Sequence, residues 1–319
     1  MTAVDVAAPV HDNRKAFAEE LMALAAADPR VVAVCNDSVG SSNLVEFRER
    51  FPDRLINVGI AEQNMVGVGA GLASMGFVPF VCAAAPFLAG RSLEQIKADV
   101  AYSQHPVILC GMSPGMAYGE LGPTHHSVED LSWLRALPGL DIVLPADRAQ
   151  TREAVRMLAA EPRPTFMRVG RHKVPDLPES TALERGRFQQ LRDGTDVTII
   201  AAGTMVSRAL QAADALAADG VTARVLNASW LAPFDTEAVH SAAAQTRAIV
   251  TAEEANVSGG LGAAVASVVA GLPAGQRVPV EILGLHELAP TGSTNALLTH
   301  FGLDPEHLAE AAKAGIARA

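Results

Sequence analysis

The chain has 319 residues, 49% of them hydrophobic and only 4% aromatic, and a formal net charge of −10. That length accommodates two domains each able to bury a core, and the abundance of small apolar side chains suits helices packed closely on sheets. With no basic block in an acidic chain, there is no Lys/Arg footprint for nucleic acid or an anionic membrane, and neither is expected as a partner.

Residues 1–15 lack both a basic start and an apolar core, so no signal peptide is read and a cytoplasmic location is expected. A helix is expected from near Asn13, a strand from Val31 and another from Leu55. Between Arg54 and Arg91 the one charged side chain is Glu62, and residues 65–90 are long and apolar enough to span a bilayer. A span is nevertheless rejected: Gly67, Gly69, Gly71 and Gly76 weaken a lone helix, while Pro79 and Pro86 break it. The expected arrangement is a helix from about Ala61, a turn and a strand from Phe77, buried on all sides. Helices near Gly90, Ser127 and Asp147 and strands from Pro106, Asp141 and Thr165 complete a first α/β domain over residues 1–175. Ser127 and Asp147 have N-cap side chains. Cys35, Cys82 and Cys110 lie in or at the ends of strands and read as buried thiols of a cytosolic protein.

Residues 176–194 are polar and aperiodic, a linker with a short edge hairpin. Strands from Asp196, Thr222, Arg247 and Val278 then restart the alternation in a smaller domain over residues 195–319. The expected fold class is α/β, with two doubly wound parallel sheets covered by helices.

Two features carry chemistry. Glu62 sits in the first turn of a helix that is apolar on every face; a first-turn acid is favoured by the helix dipole, but a buried one needs a partner. The segment GMSPGMAYGELGPTHHSVEDL, Gly111 to Leu131, is a Gly/Pro-rich loop after a strand end, where parallel sheets bind ligands. Its His125 and His126 read as ordinary loop histidines or as a metal pair. Adjacent histidines point apart in an extended loop and no carboxylate or Cys cluster completes a ligand set, so no metal site is expected on this chain.

The strings INVGIAEQNMVGVGAGLASMG, from Ile56, and GPTHH, from Gly122, resemble transketolases and 1-deoxyxylulose-5-phosphate synthases. So does VTAEEANVSGGLGAAVAS, from Val250, which is similar to the family's C-terminal domain, and the resemblance covers nearly the whole chain. It implies that Glu62 hydrogen-bonds N1′ of thiamine diphosphate, favouring the imino tautomer whose exocyclic nitrogen takes the C2 proton. It implies that His125 moves protons and stabilises charge at the substrate carbonyl. Phe87 falls where an aromatic ring packs on the aminopyrimidine, with Ala84 where a further aromatic is frequent. Arg14, Ser42 and Arg168 match positions that bind the sugar phosphate.

Two departures bear on the substrate. Ser113 stands where the family usually has a His contacting a donor hydroxyl, and Leu121 where an Asp reads hydroxyl configuration. A deoxygenated, branched or otherwise non-standard sugar is therefore expected. The GDG-and-Asn segment that holds the diphosphate through Mg²⁺ in these enzymes is not found. The resemblance thus implies a partner, an N-terminal transketolase-like subunit that supplies the Mg²⁺ grip in an α2β2 assembly. The implied reaction is transfer of a two-carbon ketol unit. The alternatives are a deoxyxylulose-synthase-like enzyme, a 2-oxo acid dehydrogenase β subunit, which lacks GPTHH, or a non-catalytic regulatory subunit.

Overall fold

The run Val31–Cys35 is buried at every position, as a central parallel strand covered on both faces must be. In a computed structural model, which describes residues 9–177 and 183–319, it is one of seven strands in the first sheet. Their order is Trp230–Ala232, Asp141–Val143, Thr165–Val169, Ile108–Met112, Val78–Ala84, Val31–Cys35 and Leu55–Asn57. Every neighbouring pair is parallel except the first. The second sheet has the order Val280–Leu285, Ala248–Asn256, Val197–Ala201, Ala223–Asn227 and Gln189–Arg192, antiparallel only at its last pair. Two α/β sheets are thus present, each with one antiparallel edge strand.

Those edge strands depart from the sequence reading. Trp230–Ala232 follows a strand of the second sheet in the chain but pairs with Asp141–Val143 of the first, and the Trp230 ring is 1% exposed in that domain's core. Among its described residues the expected linker forms no hairpin of its own. Just before it, Val174–Pro175 pairs with Val10–His11, and its far end, Gln189–Arg192, is the edge of the second sheet. Residues 178–182 of that linker lie outside the described residues.

The helix Glu62–Ser74 lies on the sheet through its small side chains. A Cβ added at Gly69 would fall 2.6 Å from Val81, so a larger residue would lift the helix and Glu62 with it. The expectation of burial on all sides is corrected here. Gln63, Asn64, Gly71 and Ser74 are exposed, and Ile60 and Met75 at its two ends are 72% and 77% exposed. One face of this helix packs on the sheet, and among the described residues nothing covers the face carrying Gln63, Asn64, Gly71 and Ser74.

Asp147 caps its helix as expected, accepting from the Gln150 N–H. Ser127 does not: that helix begins at Asp130 without a side-chain cap, because Ser127 exchanges backbone hydrogen bonds with Gly115 instead. The helix expected near Gly90 begins at Ala85, with Pro86 in its first turn, where a missing N–H costs no bond. The three cysteines occupy one row across adjacent strands, all buried and unbridged. Burial pushes the Cys35 thiol up to about 12. No helix among the described residues is long and apolar enough to cross a membrane.

Candidate active site

Glu62 is 4% exposed and has the partner its burial demands. Arg91 donates to its Oε1 at 3.0 Å and the Asn36 amide to the same oxygen at 3.1 Å. Burial pushes the Glu62 carboxyl up, but its own backbone N–H, Asn36 and Arg91 outweigh that, and it sits below the ordinary carboxylate range. It borders a cleft of about 540 Å³ with Ile60, Gln63, Asn64 and Arg91. The only charge in the apolar stretch is therefore paired with the charge that ends the stretch.

From Glu62 a continuous track of side chains leads to the histidine loop. The Arg91 guanidinium lies 3.9 Å from the Phe87 ring centroid. Phe87 meets His125 edge-on at 5.2 Å, and His125 meets Tyr118 at 6.1 Å. Arg171 lies 5.0 Å from the Tyr118 centroid. Thr124 Oγ1 is 3.0 Å from His125 Nδ1 and orients the imidazole. His126 is 3% exposed; burial, above all, lowers its pKa, against the opposing pull of the Gly119 backbone and Glu254. Among the described residues no cluster of His, Cys, Asp or Glu forms a metal site.

Leu121 is 55% exposed and borders a second cleft, about 420 Å³, with Tyr118, Glu120, Arg171 and Ser293. Ser113 and Ser42 are fully buried, their hydroxyls without a hydrogen-bond partner among the described residues. Arg14 is engaged twice over, by the Asp12 carboxylate at 2.6 Å and by the Ser41 carbonyl at 2.8 Å. Arg168 is more firmly committed. Its Nε and Nη2 grip the fully buried Asp130, Nη2 also reaches the Ser127 carbonyl, and Nη1 reaches the Glu254 carbonyl at 3.1 Å. Its guanidinium is spent on joining the loop, a helix and the second sheet.

Asn36, Arg91, Tyr118 and Arg171 belong to the site and were not singled out from sequence. Arg91 carried a signal, as the first charge after Glu62. Arg171 carried a weaker one: it lies beyond the strand Thr165–Val169, and among the described residues it is exposed and makes no hydrogen bond.

Comparison with known proteins agrees with this layout. The families described as "Transketolase, pyrimidine binding domain" and "Transketolase, C-terminal domain" match residues 10–176 and 186–308. An apulose-4-phosphate transketolase subunit of Phocaeicola vulgatus is 45% identical over 94% of this chain and 96% of its own. The 6-deoxy-6-sulfo-D-fructose transketolase subunit SqwH of a Clostridium species, strain MSTE9, is 38% identical over 95% and 94%. A solved split-gene transketolase, described as an inactive β4 tetramer, superposes with a TM-score of 0.85 at 36% identity, covering 96% of this chain and 98% of that one. With the two family domains together matching most of its length, and Glu62 linked by side-chain contacts through Arg91 and Phe87 to His125, the chain belongs to the transketolase family.

Proposed function

We propose that this chain is the cofactor-activating subunit of a heteromeric transketolase-type enzyme that transfers a two-carbon ketol unit between sugar-like substrates. The observation that carries the reading is the contact track from buried Glu62, through Arg91 and Phe87, to His125. The residues fit thiamine diphosphate. An ionised carboxylate opens on a cleft beside a half-buried aromatic ring, with a histidine on that ring's edge.

When bound, thiamine diphosphate supplies a carbon nucleophile for cleaving and forming bonds beside a carbonyl. Glu62 would hold a proton at N1′ of the pyrimidine. Arg91 and Asn36 hold the carboxylate in place, and Phe87 would bound the ring. His125, oriented by Thr124, would hold or move a proton at the substrate oxygen.

Mg²⁺ and the diphosphate would be gripped by a partner of the N-terminal transketolase type in an α2β2 assembly. The uncovered outer face of Glu62–Ser74, with Ile60 and Met75 exposed beside the Glu62 cleft, supports such a partner. Both of those relatives are themselves named as transketolase subunits, which supports it as well.

For the substrate, Leu121 exposed in its cleft supports a donor or acceptor lacking or displacing the hydroxyl that an Asp would read. The names of the two relatives specify a sugar phosphate and a sulfonated deoxy sugar, both anionic. Arg171, free over Tyr118, is better placed than the committed Arg168 to meet such an anion, while Arg14 and Ser42 lie together at the start of the first helix and its facing loop.

The test is reconstitution with an N-terminal transketolase-type subunit from the same source, thiamine diphosphate and Mg²⁺. β-Hydroxypyruvate serves as donor and glycolaldehyde as acceptor. Ketol transfer by the pair and none by either chain alone is expected. Turnover by this chain alone, or none by the pair despite cofactor binding, overturns the proposal.

A further inference from the structure

The loop from Ser113 to Ser127 carries His125, yet much of what holds it comes from the second domain. The Thr294 hydroxyl donates to the Met116 carbonyl at 3.2 Å, the Gly292 N–H to the Gly119 carbonyl at 3.0 Å, and the Asn256 N–H to the Val128 carbonyl just past the loop at 2.6 Å. The one side-chain acceptor among these contacts is Glu254. Its Oε1 takes the Met116 N–H at 2.6 Å and its Oε2 the Thr204 hydroxyl at 2.9 Å, with the residue 5% exposed.

The loop backbone is shaped to receive that carboxylate. Gly115 has φ of +65°, and a Cβ there would fall 2.5 Å from the Glu254 side chain. Ser113, two residues earlier, holds φ at +57°, a conformation that a residue with a side chain keeps only where its surroundings enforce it. The preceding residue shows that this placement is specific. Glu253 points to the opposite side of the strand and caps the helix Leu261–Gly271, accepting from the Leu261 and Gly262 N–H groups at 2.7 and 2.8 Å.

We propose that Glu254 is a positioning residue of the reaction: a carboxylate of the second domain that fixes the loop carrying Tyr118 and His125 against Phe87. This rests on the role proposed above for His125. Ser127 ties back to Gly115 through two backbone hydrogen bonds, so a shift at Gly115 and Met116 is passed to the residues beside His125. Glu62 is on a different helix, and its carboxylate is held by Asn36 and Arg91, neither of which belongs to the loop. The second domain therefore acts on the substrate step and leaves cofactor activation alone.

The test uses the reconstituted enzyme and two readouts: C2 hydrogen–deuterium exchange of bound thiamine diphosphate, and ketol transfer from β-hydroxypyruvate to glycolaldehyde. Glu254→Ala is expected to lower kcat for transfer roughly 10–100-fold, the scale of a misplaced catalytic group, with exchange within about threefold of the wild type. Glu254→Gln keeps an acceptor oxygen for Met116 and should restore most of the rate. Glu253→Gln, at a carboxylate whose hydrogen bonds among the described residues go to the helix cap, should lower thermal stability without that split. If Glu254→Ala prevents assembly, Gly115→Ala keeps Glu254, forces a Cβ against it and should give the same split. Full transfer in both Glu254→Ala and Gly115→Ala, parallel loss of exchange and transfer, or no rescue by Glu254→Gln overturns the inference. His125→Ala separates the two readings. If it transfers normally, the role of His125 fails and the inference with it; if it is inactive while Glu254→Ala is not, only the inference fails.

Discussion

Arg168→Met should destabilise the protein far more than it impairs substrate binding. The side chain is 11% exposed and its ion-pair partner Asp130 is fully buried. Removing the guanidinium leaves the carboxylate with the Leu131 N–H at 2.9 Å as its remaining hydrogen bond among the described residues, and takes one donor each from the carbonyls of Ser127 and Glu254. Breaking a buried pair by deleting one partner costs about 3–5 kcal/mol, because the other charge stays buried. At roughly 2 °C per kcal/mol for a chain of this size, the melting temperature should fall about 6–10 °C. Asp130→Asn in the same chain should recover part of that loss, since the stranded charge is gone. The assay is thermal unfolding of the chain and of the reconstituted enzyme, paired with KM for phosphorylated and unphosphorylated donors. An unfolding midpoint within about 1 °C of the wild type, with KM raised only for phosphorylated donors, would refute the reasoning and return Arg168 to anion recognition.

Glu62→Gln should slow C2 exchange in the assembled enzyme by roughly 10²–10⁴ or more, the scale of a general-acid contribution; near-normal exchange removes Glu62 from the mechanism. Arg91→Met should move the acidic limb of the exchange–pH profile upward. Arg91 and Asn36 hold the Glu62 carboxyl below its ordinary range, so the carboxylate persists as pH falls through ordinary values, and it should protonate earlier once Arg91 is gone. An unshifted limb contradicts this. Arg171→Met should raise KM for phosphorylated donors roughly 10–100-fold, as loss of about 1.5–3 kcal/mol from charge-assisted bonds requires, and spare unphosphorylated ones; equal effects on both speak against it. Leu121→Asp should sharpen the preference among epimeric or deoxy substrates by about 1–3 kcal/mol, the cost of a buried hydroxyl without a partner. An unchanged series means Leu121 does not face the substrate.

Much of this was legible in the sequence, for local reasons. Alternating apolar runs and helical stretches marked the parallel strands, because a strand buried on both faces reads as a continuous apolar run wherever it occurs. Glu62 stood out as an isolated charge, and Asp147 caps its helix through a bond spanning three residues. What escaped depends on contacts between distant parts of the chain. Trp230–Ala232 is too short to be recognised alone and is a strand only because the edge of the first sheet lies open beside it. Arg168 and Arg171 differ by three positions, yet docking of the second sheet's Glu254 carbonyl and of Asp130 commits one and leaves the other exposed. Residue type and spacing thus determined which groups this protein has for its chemistry. Which of them face the cleft, and that Glu254 meets Met116 across 138 residues of chain, was decided only when the two sheets packed, because a hydrogen bond between domains has no counterpart in local sequence.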